Sequence, residues 1–126
     1  MVTPSSPKGL VKRQPYVPDR GDVVKLDFDP QAGHEQKGRR PALVVSPKAY
    51  NEKVGLALFC PITEEVKGYP FEVALPKRAD LKGVVLADQI KNLDWRVRNA
   101  EKVCTLPDAV VGEVLDKIVP LLNPDE

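Results

Sequence analysis

The richest combination of reactive side chains lies in one short loop, residues 34–40, with the order His, Glu, Gln, Lys, Gly, Arg, Arg. Arg40 precedes Pro41, which restricts its backbone to extended geometry and predicts that its side chain projects from the start of a strand. A guanidinium keeps its charge at any working pH and matches two phosphate oxygens with parallel hydrogen bonds. Runs of charge are also common on solvated loops, so phosphate binding and simple exposure are the two interpretations.

Composition restricts the remaining catalytic chemistry. His34 is the only histidine, which excludes a two-histidine acid–base mechanism and a metal site built on several His or Cys ligands. Glu35 is the nearest proton acceptor in the loop, unless it pairs with Lys37 or an arginine. Asp27 and Asp29 share one strand face and could hold Mg²⁺, although a solvent-facing edge is favoured. No glycine-rich phosphate loop, Ser-His-Asp order or other cofactor motif is present.

A second cluster of cations surrounds the only tryptophan: Lys91, Trp95, Arg96, Arg98 and Lys102. An aromatic ring among cations can stack an unpaired base while the cations hold the nucleic-acid backbone. A lone Trp is as often a core or protein-interface residue. Both interpretations stay open at this stage.

The length and composition of the chain indicate one small domain. The chain has 126 residues, 42% of them hydrophobic, and its net charge of +1 does not indicate a nucleic-acid partner. Residues 1–18 contain four prolines among Ser, Lys and Arg residues and predict a flexible tail, with the folded domain over 19–126. No apolar run is long enough to span a membrane and no signal peptide is visible, so we expect a cytoplasmic protein without a membrane partner. Cys60 and Cys104 are expected to be buried free thiols.

The elements that must position these residues are short strands. Alternation from Gly21 predicts a half-buried strand with Val24, Leu26 and Phe28 inward, and the apolar run 55–63 predicts a central strand covered on both faces. Further strands are expected at residues 42–46, 71–75, 83–89 and 101–105.

One amphipathic helix follows these strands near the C-terminus. Thr105 is expected to cap its start, and its apolar face carries Val111, Val114, Leu115, Ile118 and Leu122. Five or six short strands with a terminal helix predict a mainly β fold with some α structure, a small, strongly curved sheet or barrel.

Several segments together resemble one family. They are the pairs Gly21-Asp22 and Trp95-Arg96 and residues 27–30, 33–47, 61–63, 67–73 and 87–91. Across nearly everything past Tyr16, the chain resembles the MazF/PemK toxins, the endoribonuclease half of a bacterial toxin–antitoxin pair. The resemblance implies an SH3-like (PemK/CcdB-like) barrel, a homodimer and a cognate MazE-like antitoxin whose disordered acidic tail covers the RNA groove. It also implies metal-independent, sequence-specific cleavage of single-stranded RNA without a cofactor, leaving 2′,3′-cyclic phosphate and 5′-hydroxyl ends.

The resemblance assigns roles to individual residues. The family's catalytic Arg falls on Arg40 and its catalytic Thr on Thr63, and Glu35 matches a carboxylate on the RNA-binding face that we include among the catalytic residues. No role is carried over to His34, because a close relative has serine there. The residues that we expect to contact RNA are Gln36, Lys37, Arg39, Lys91, Trp95, Arg96 and Arg98.

Two other functions would suit the same fold. A CcdB-like poison would block DNA gyrase through a protein contact and would not need Arg40 and Thr63 together. A catalytically silent RNA-binding module would bind RNA and leave its length unchanged.

Overall fold

The structure is a computed structural model that describes residues 15–28, 38–77 and 81–123. Within these ranges seven strands form one antiparallel sheet: β1 (Asp22–Asp27), β2 (Arg39–Val44), β3 (Ala57–Thr63), β4 (Glu72–Ala74), β5 (Val84–Leu86), β6 (Lys91–Leu93) and β7 (Glu101–Thr105). The helices are α1 (Lys48–Val54) and α2 (Asp108–Leu122), and a 3₁₀ turn covers Ala87–Gln89. The predicted mainly β fold with a C-terminal helix is confirmed. The described residues form seven strands rather than the expected five or six. The additional strand is β6, whose three residues are too few to show an alternating pattern.

The central strand is β3, as its continuous apolar run predicted. The order β4-β5-β3-β2-β1-β7 leaves two ends, so the sheet in the described part of the chain is not closed into a barrel. One edge of β3 pairs with β2. The other edge pairs first with β6 and then, at Ile62 and Thr63, with β5. The end of β3 therefore lies between β2 and β5.

Both faces of the middle of the sheet are covered. Helix α2 covers one face through Val111, Val114 and Ile118, and the Trp95 segment covers the other. The prediction of a half-buried β1 is confirmed from Val24 onward, where Val24 and Leu26 are buried and Lys25 is exposed. It is wrong at the start of the strand, where Val23 is also fully buried, in the other apolar cluster.

The packed part of the chain begins before Asp19, the start that the sequence indicated. Pro18 is fully buried, and the Tyr16 hydroxyl donates to the Asp22 carboxylate over 2.6 Å. Asn51, a buried residue of the unpredicted helix α1, holds this segment by donating to the Pro18 carbonyl over 2.7 Å. Residues 1–14 of the expected tail lie outside the described residues.

The start of α2 differs from the prediction. Pro107 occupies the N-cap position, and the Thr105 hydroxyl instead donates to Asp22 over 3.2 Å. Leu122, expected on the apolar face, is 79% exposed because it lies at the helix end, beyond the sheet contact. Neither helix in the described ranges combines the length and apolar character needed to cross a membrane.

Candidate functional site

Arg40 and Thr63 stand at the same end of two paired strands. In the β2–β3 register Ala42 pairs with Pro61, and continuing that register by two residues brings Arg40 opposite Thr63. Side chains alternate along a strand, so both project from the face that carries Ala42. Both line one open cavity of about 370 Å³. The structure thus brings together the two residues that the resemblance marked as catalytic.

The rest of this cavity, which we call the Arg40–Thr63 cavity, comes from β5 and the β3–β4 loop. Thr63 pairs with Val84, and Leu86 pairs with Glu72, so Thr63, Leu86 and Glu72 share one sheet face. Both apolar and polar residues line it besides Arg40 and Thr63: Pro61, Ile62, Leu86, Glu65, Lys67, Tyr69, Glu72 and Gln89. A cavity of this kind suits a nucleotide, which has both an apolar ring face and polar edges.

The hydroxyl of Thr63 is oriented by the chain that follows it. The backbone N–H of Glu65 donates to Thr63 Oγ1 over 3.1 Å. Because that bond uses an acceptor position, the hydroxyl keeps its proton available to donate to a ligand.

Gly83 fixes the backbone at Thr63, a role that sequence reasoning missed. Its φ of +111° lies in a region that residues with a side chain rarely adopt, and an added Cβ would stand 2.0 Å from the Thr63 carbonyl oxygen. One sequence cannot reveal such a contact, because the glycine and the threonine are twenty positions apart and meet only through β3–β5 pairing.

The two neighbouring arginines have different environments. Arg39 is half-buried and donates to Asp27 over 3.1 Å, to the Asn99 carbonyl over 2.8 Å and to Glu101 over 3.3 Å. Arg40 is exposed, and within residues 15–28, 38–77 and 81–123 no carboxylate forms an ion pair with it. Arg39 therefore ties β1, β2 and β7 together, while Arg40 remains available for a ligand.

A second cavity, of about 400 Å³, adjoins the same pair of residues. The cations Lys25, Arg39 and Lys82 line it, with Glu64 as a carboxylate. This excess of positive charge suits the phosphate backbone of a nucleic acid. The predicted site residues Glu35, Gln36 and Lys37, together with His34 and Asp29, lie outside the described residues.

Trp95 is placed in the core. Its side chain is 7% exposed, and its Nε1–H donates to the Asn51 carbonyl over 3.3 Å. The Arg96 guanidinium lies 5.1 Å from the Trp95 ring and donates to the Glu52 carbonyl over 3.5 Å. Of the two interpretations of this tryptophan, its burial favours a structural role over base stacking.

The other predicted RNA contacts, Lys91 and Arg98, both lie near the end of β1, and neither lines the Arg40–Thr63 cavity. Lys91 is exposed and pairs with Phe59 in the β3–β6 register, and its Nζ lies 5.8 Å from the Phe28 ring centroid. The carbonyl of Arg98 accepts from the Asp27 N–H over 2.9 Å. Arg98 Nε is buried and has no hydrogen-bond partner in the described part of the chain.

Two titratable groups near the cavity have shifted pKa values. The Tyr69 hydroxyl donates to Asp88 over 2.9 Å, and this bond to the carboxylate raises the pKa of Tyr69. Burial, with a smaller contribution from the charge of Asp88, raises the pKa of Cys60 to about 12. Cys60 and Cys104 form no disulfide bond with each other, as predicted, and Cys104 is only partly buried. No group of three or more His, Cys, Asp and Glu side chains among the described residues is arranged to hold a metal ion.

A family model described as PemK-like, MazF-like toxin of type II toxin–antitoxin system matches residues 19–122. The chain belongs to this family. It is 53% identical over 108 residues to the endoribonuclease toxin MazF of Escherichia coli K12, covering 86% of this chain and 96% of the relative. It is 40% identical over 111 residues to the endoribonuclease toxin ChpB of the same strain, covering 84% of this chain and 93% of ChpB.

Solved structures of MazF proteins show the same fold. The crystal structure of MazF from Deinococcus radiodurans matches with 56% identity and a TM-score of 0.78, covering 86% of this chain and 99% of that one. A MazE–MazF crystal structure from D. radiodurans matches with 50% identity and a TM-score of 0.77, with the same coverage. The fold of this PemK/MazF-like toxin is therefore that of its relatives, including one solved together with MazE.

Proposed function

We propose that this protein is an endoribonuclease toxin that cleaves single-stranded RNA at specific sequences without a metal ion. The observation that carries the proposal is the shared cavity of Arg40 and Thr63, two donors at the same end of two neighbouring strands. Membership of the PemK/MazF-like family supports it, because the curated relatives are named endoribonucleases.

The reaction is an attack of a ribose 2′-oxygen on the adjacent phosphorus. The bond from phosphorus to the 2′-oxygen forms while the bond to the 5′-oxygen breaks, which leaves a 2′,3′-cyclic phosphate and a 5′-hydroxyl. Arg40 and Thr63 donate hydrogen bonds to the non-bridging oxygens as negative charge grows on them. Glu35 remains the predicted acceptor of the 2′-hydroxyl proton, and the departing 5′-oxygen takes a proton from water.

Two properties of the substrate and site follow from this chemistry. DNA lacks the attacking hydroxyl and should survive intact. The permanent charge of Arg40 supplies, at the phosphate, the electrostatic stabilisation that a metal ion provides in other nucleases.

The proposed function also includes a partner protein. The MazE–MazF structures from D. radiodurans support inhibition of this chain by a cognate MazE-like antitoxin, given 50% identity to the MazF in one of them. We further propose that the active form is a homodimer, as the family resemblance implies.

Cleavage of a mixed-sequence single-stranded RNA in excess EDTA tests the function. The wild type should give discrete products with 5′-hydroxyl ends. Thr63→Val, which removes the hydroxyl and keeps the shape, should reduce the rate by about 10²- to 10³-fold, and Arg40→Ala should do the same. Thr63→Ser, which keeps a hydroxyl, is the matched control and should retain most activity.

Other results would redirect the assignment. Intact RNA together with inhibited DNA gyrase would indicate a CcdB-like poison. RNA that shifts on a gel without shortening would indicate a silent binding module. Full cleavage by folded Arg40→Ala or Thr63→Val would remove the catalytic assignment of that residue.

A further inference from the structure

The β3–β4 loop places an aromatic ring on the wall of the Arg40–Thr63 cavity. Tyr69 is 48% exposed and lines this cavity together with Gln89, whose side chain is also exposed. An accessible aromatic ring stacks on any nucleobase, and a glutamine amide can donate to and accept from a base edge. These two side chains stand beside the donors expected to hold the scissile phosphate.

The Tyr69 ring is held from two sides. Its hydroxyl donates to Asp88 Oδ2 over 2.9 Å, and its ring centroid lies 5.9 Å from that of Phe71 at an angle of 50°. Asp88 belongs to the 3₁₀ turn that follows β5, so its carboxylate is positioned by the sheet rather than by the loop. A ring fixed in this way loses little side-chain freedom when it contacts a base.

The loop that carries Tyr69 is itself anchored. The Glu72 carboxylate accepts the backbone N–H groups of Lys67 and Gly68, each over 3.0 Å. Lys117 on α2 donates to the Pro70 carbonyl over 2.9 Å. Glu72 and Lys117 therefore hold the loop on both sides of Tyr69.

We propose that Tyr69 is a stacking platform for a nucleobase beside the scissile phosphate, and that Asp88 is the positioning residue that holds this platform. The inference rests on the proposed function and adds a named base contact to it. Asp88 acts only through Tyr69, because its Oδ2 is engaged by the tyrosine hydroxyl and its Oδ1 is buried.

The first test combines Tyr69→Ala with RNA substrates that lack one base. On intact RNA, Tyr69→Ala should raise KM by between about 5-fold and about 150-fold, the range measured for one base–aromatic stack, with kcat nearly unchanged. Substrates abasic at successive positions around the cleavage site should show one position where the wild type loses the same factor. At that position Tyr69→Ala and the wild type should have equal KM values.

The matched control is Tyr50→Ala. Tyr50 is 36% exposed on α1, where its hydroxyl accepts from Asn92 over 3.1 Å, and it does not line the Arg40–Thr63 cavity. Its KM should equal that of the wild type. Three outcomes for Tyr69→Ala would refute the stacking platform. KM could stay unchanged, fall by the same factor for every substrate, or rise equally for the intact and all abasic substrates.

The role of Asp88 is tested separately with a double-mutant cycle. Asp88→Ala should raise KM less than Tyr69→Ala, and it should add nothing in the Tyr69→Phe background, where the hydroxyl is already absent. Asp88→Asn keeps an acceptor for the hydroxyl and should restore the wild-type KM. Additive effects of Asp88→Ala and Tyr69→Phe would overturn the positioning role.

The outcome also separates this inference from the proposed function. Wild-type protein that fails to cleave RNA would refute the nuclease. Wild-type cleavage that depends on Arg40 and Thr63 but not on Tyr69 would refute only the base platform.

Discussion

The Arg40–Thr63 cavity and the turn that carries Trp95 and Arg96, here called the Trp95 turn, both combine an arginine with an aromatic ring. They differ in how many of their polar groups already form hydrogen bonds within the protein. At the turn, the Trp95 indole donates to the Asn51 carbonyl, and Arg96 stacks on the indole and reaches a second carbonyl of α1. At the cavity, Arg40 is exposed and Thr63 keeps a proton to donate. The comparison indicates that counting cations does not find a binding site, because a cation whose donors are engaged mainly stabilises the fold.

The largest expected effect is on stability, at the turn. Trp95→Ala should lower the free energy of unfolding by about 3–5 kcal/mol, because it removes a buried indole from the apolar cluster of Val24, Phe59 and Ala57. Urea denaturation measures this loss, and Trp95→Phe should lose less. At a temperature where the variant stays folded, its KM for RNA should match the wild type. A KM increase without a stability loss would show that the indole stacks a base instead.

A smaller effect is expected from Gly83, at the cavity. A Cβ at this position would meet the Thr63 carbonyl oxygen, so Gly83→Ala must displace the end of β3 and with it the Thr63 hydroxyl. Misplacement of about 1 Å can reduce a rate by about 10²-fold, and we expect a kcat loss of this order. Gly68→Ala is the matched control: its φ is also positive, +75°, but nothing lies within 4 Å of the added Cβ. Equal kcat values for the two variants would contradict the role of Gly83.

Part of the fold and of the candidate site could be predicted from the sequence. The apolar run of β3 and the spacing of Val111, Val114 and Ile118 describe elements whose local pattern matches their burial. Residues 61–63 and the Arg40–Pro41 pair are among the segments that carry the resemblance to the family.

The remainder depends on contacts between distant residues. Val23 is buried as well as Val24 because it packs in the apolar cluster that contains the α2 residues Val111 and Val114, and no alternation in β1 itself encodes that cover. Thr105 caps no helix because Asp22, 83 positions away, accepts its hydroxyl. The engaged state of Arg39 likewise requires Asp27 and Glu101 to meet across three strands.

The smallest predicted effect concerns Arg96 and sharpens the comparison most directly. Its guanidinium rests on an indole at an exposed site, a contact worth about 0.5–1 kcal/mol, so Arg96→Ala should lower stability by no more than about that amount. RNA affinity measured over a range of salt concentrations then separates the two interpretations of this cation. A residue that neutralises a phosphate contributes about 0.7 to the slope of log affinity against log salt for single strands. We expect the slope to stay unchanged for Arg96→Ala, because the Arg96 guanidinium already donates to the Glu52 carbonyl. We expect it to fall for Lys82→Ala, because Lys82 lines the second cavity, which has an excess of cations.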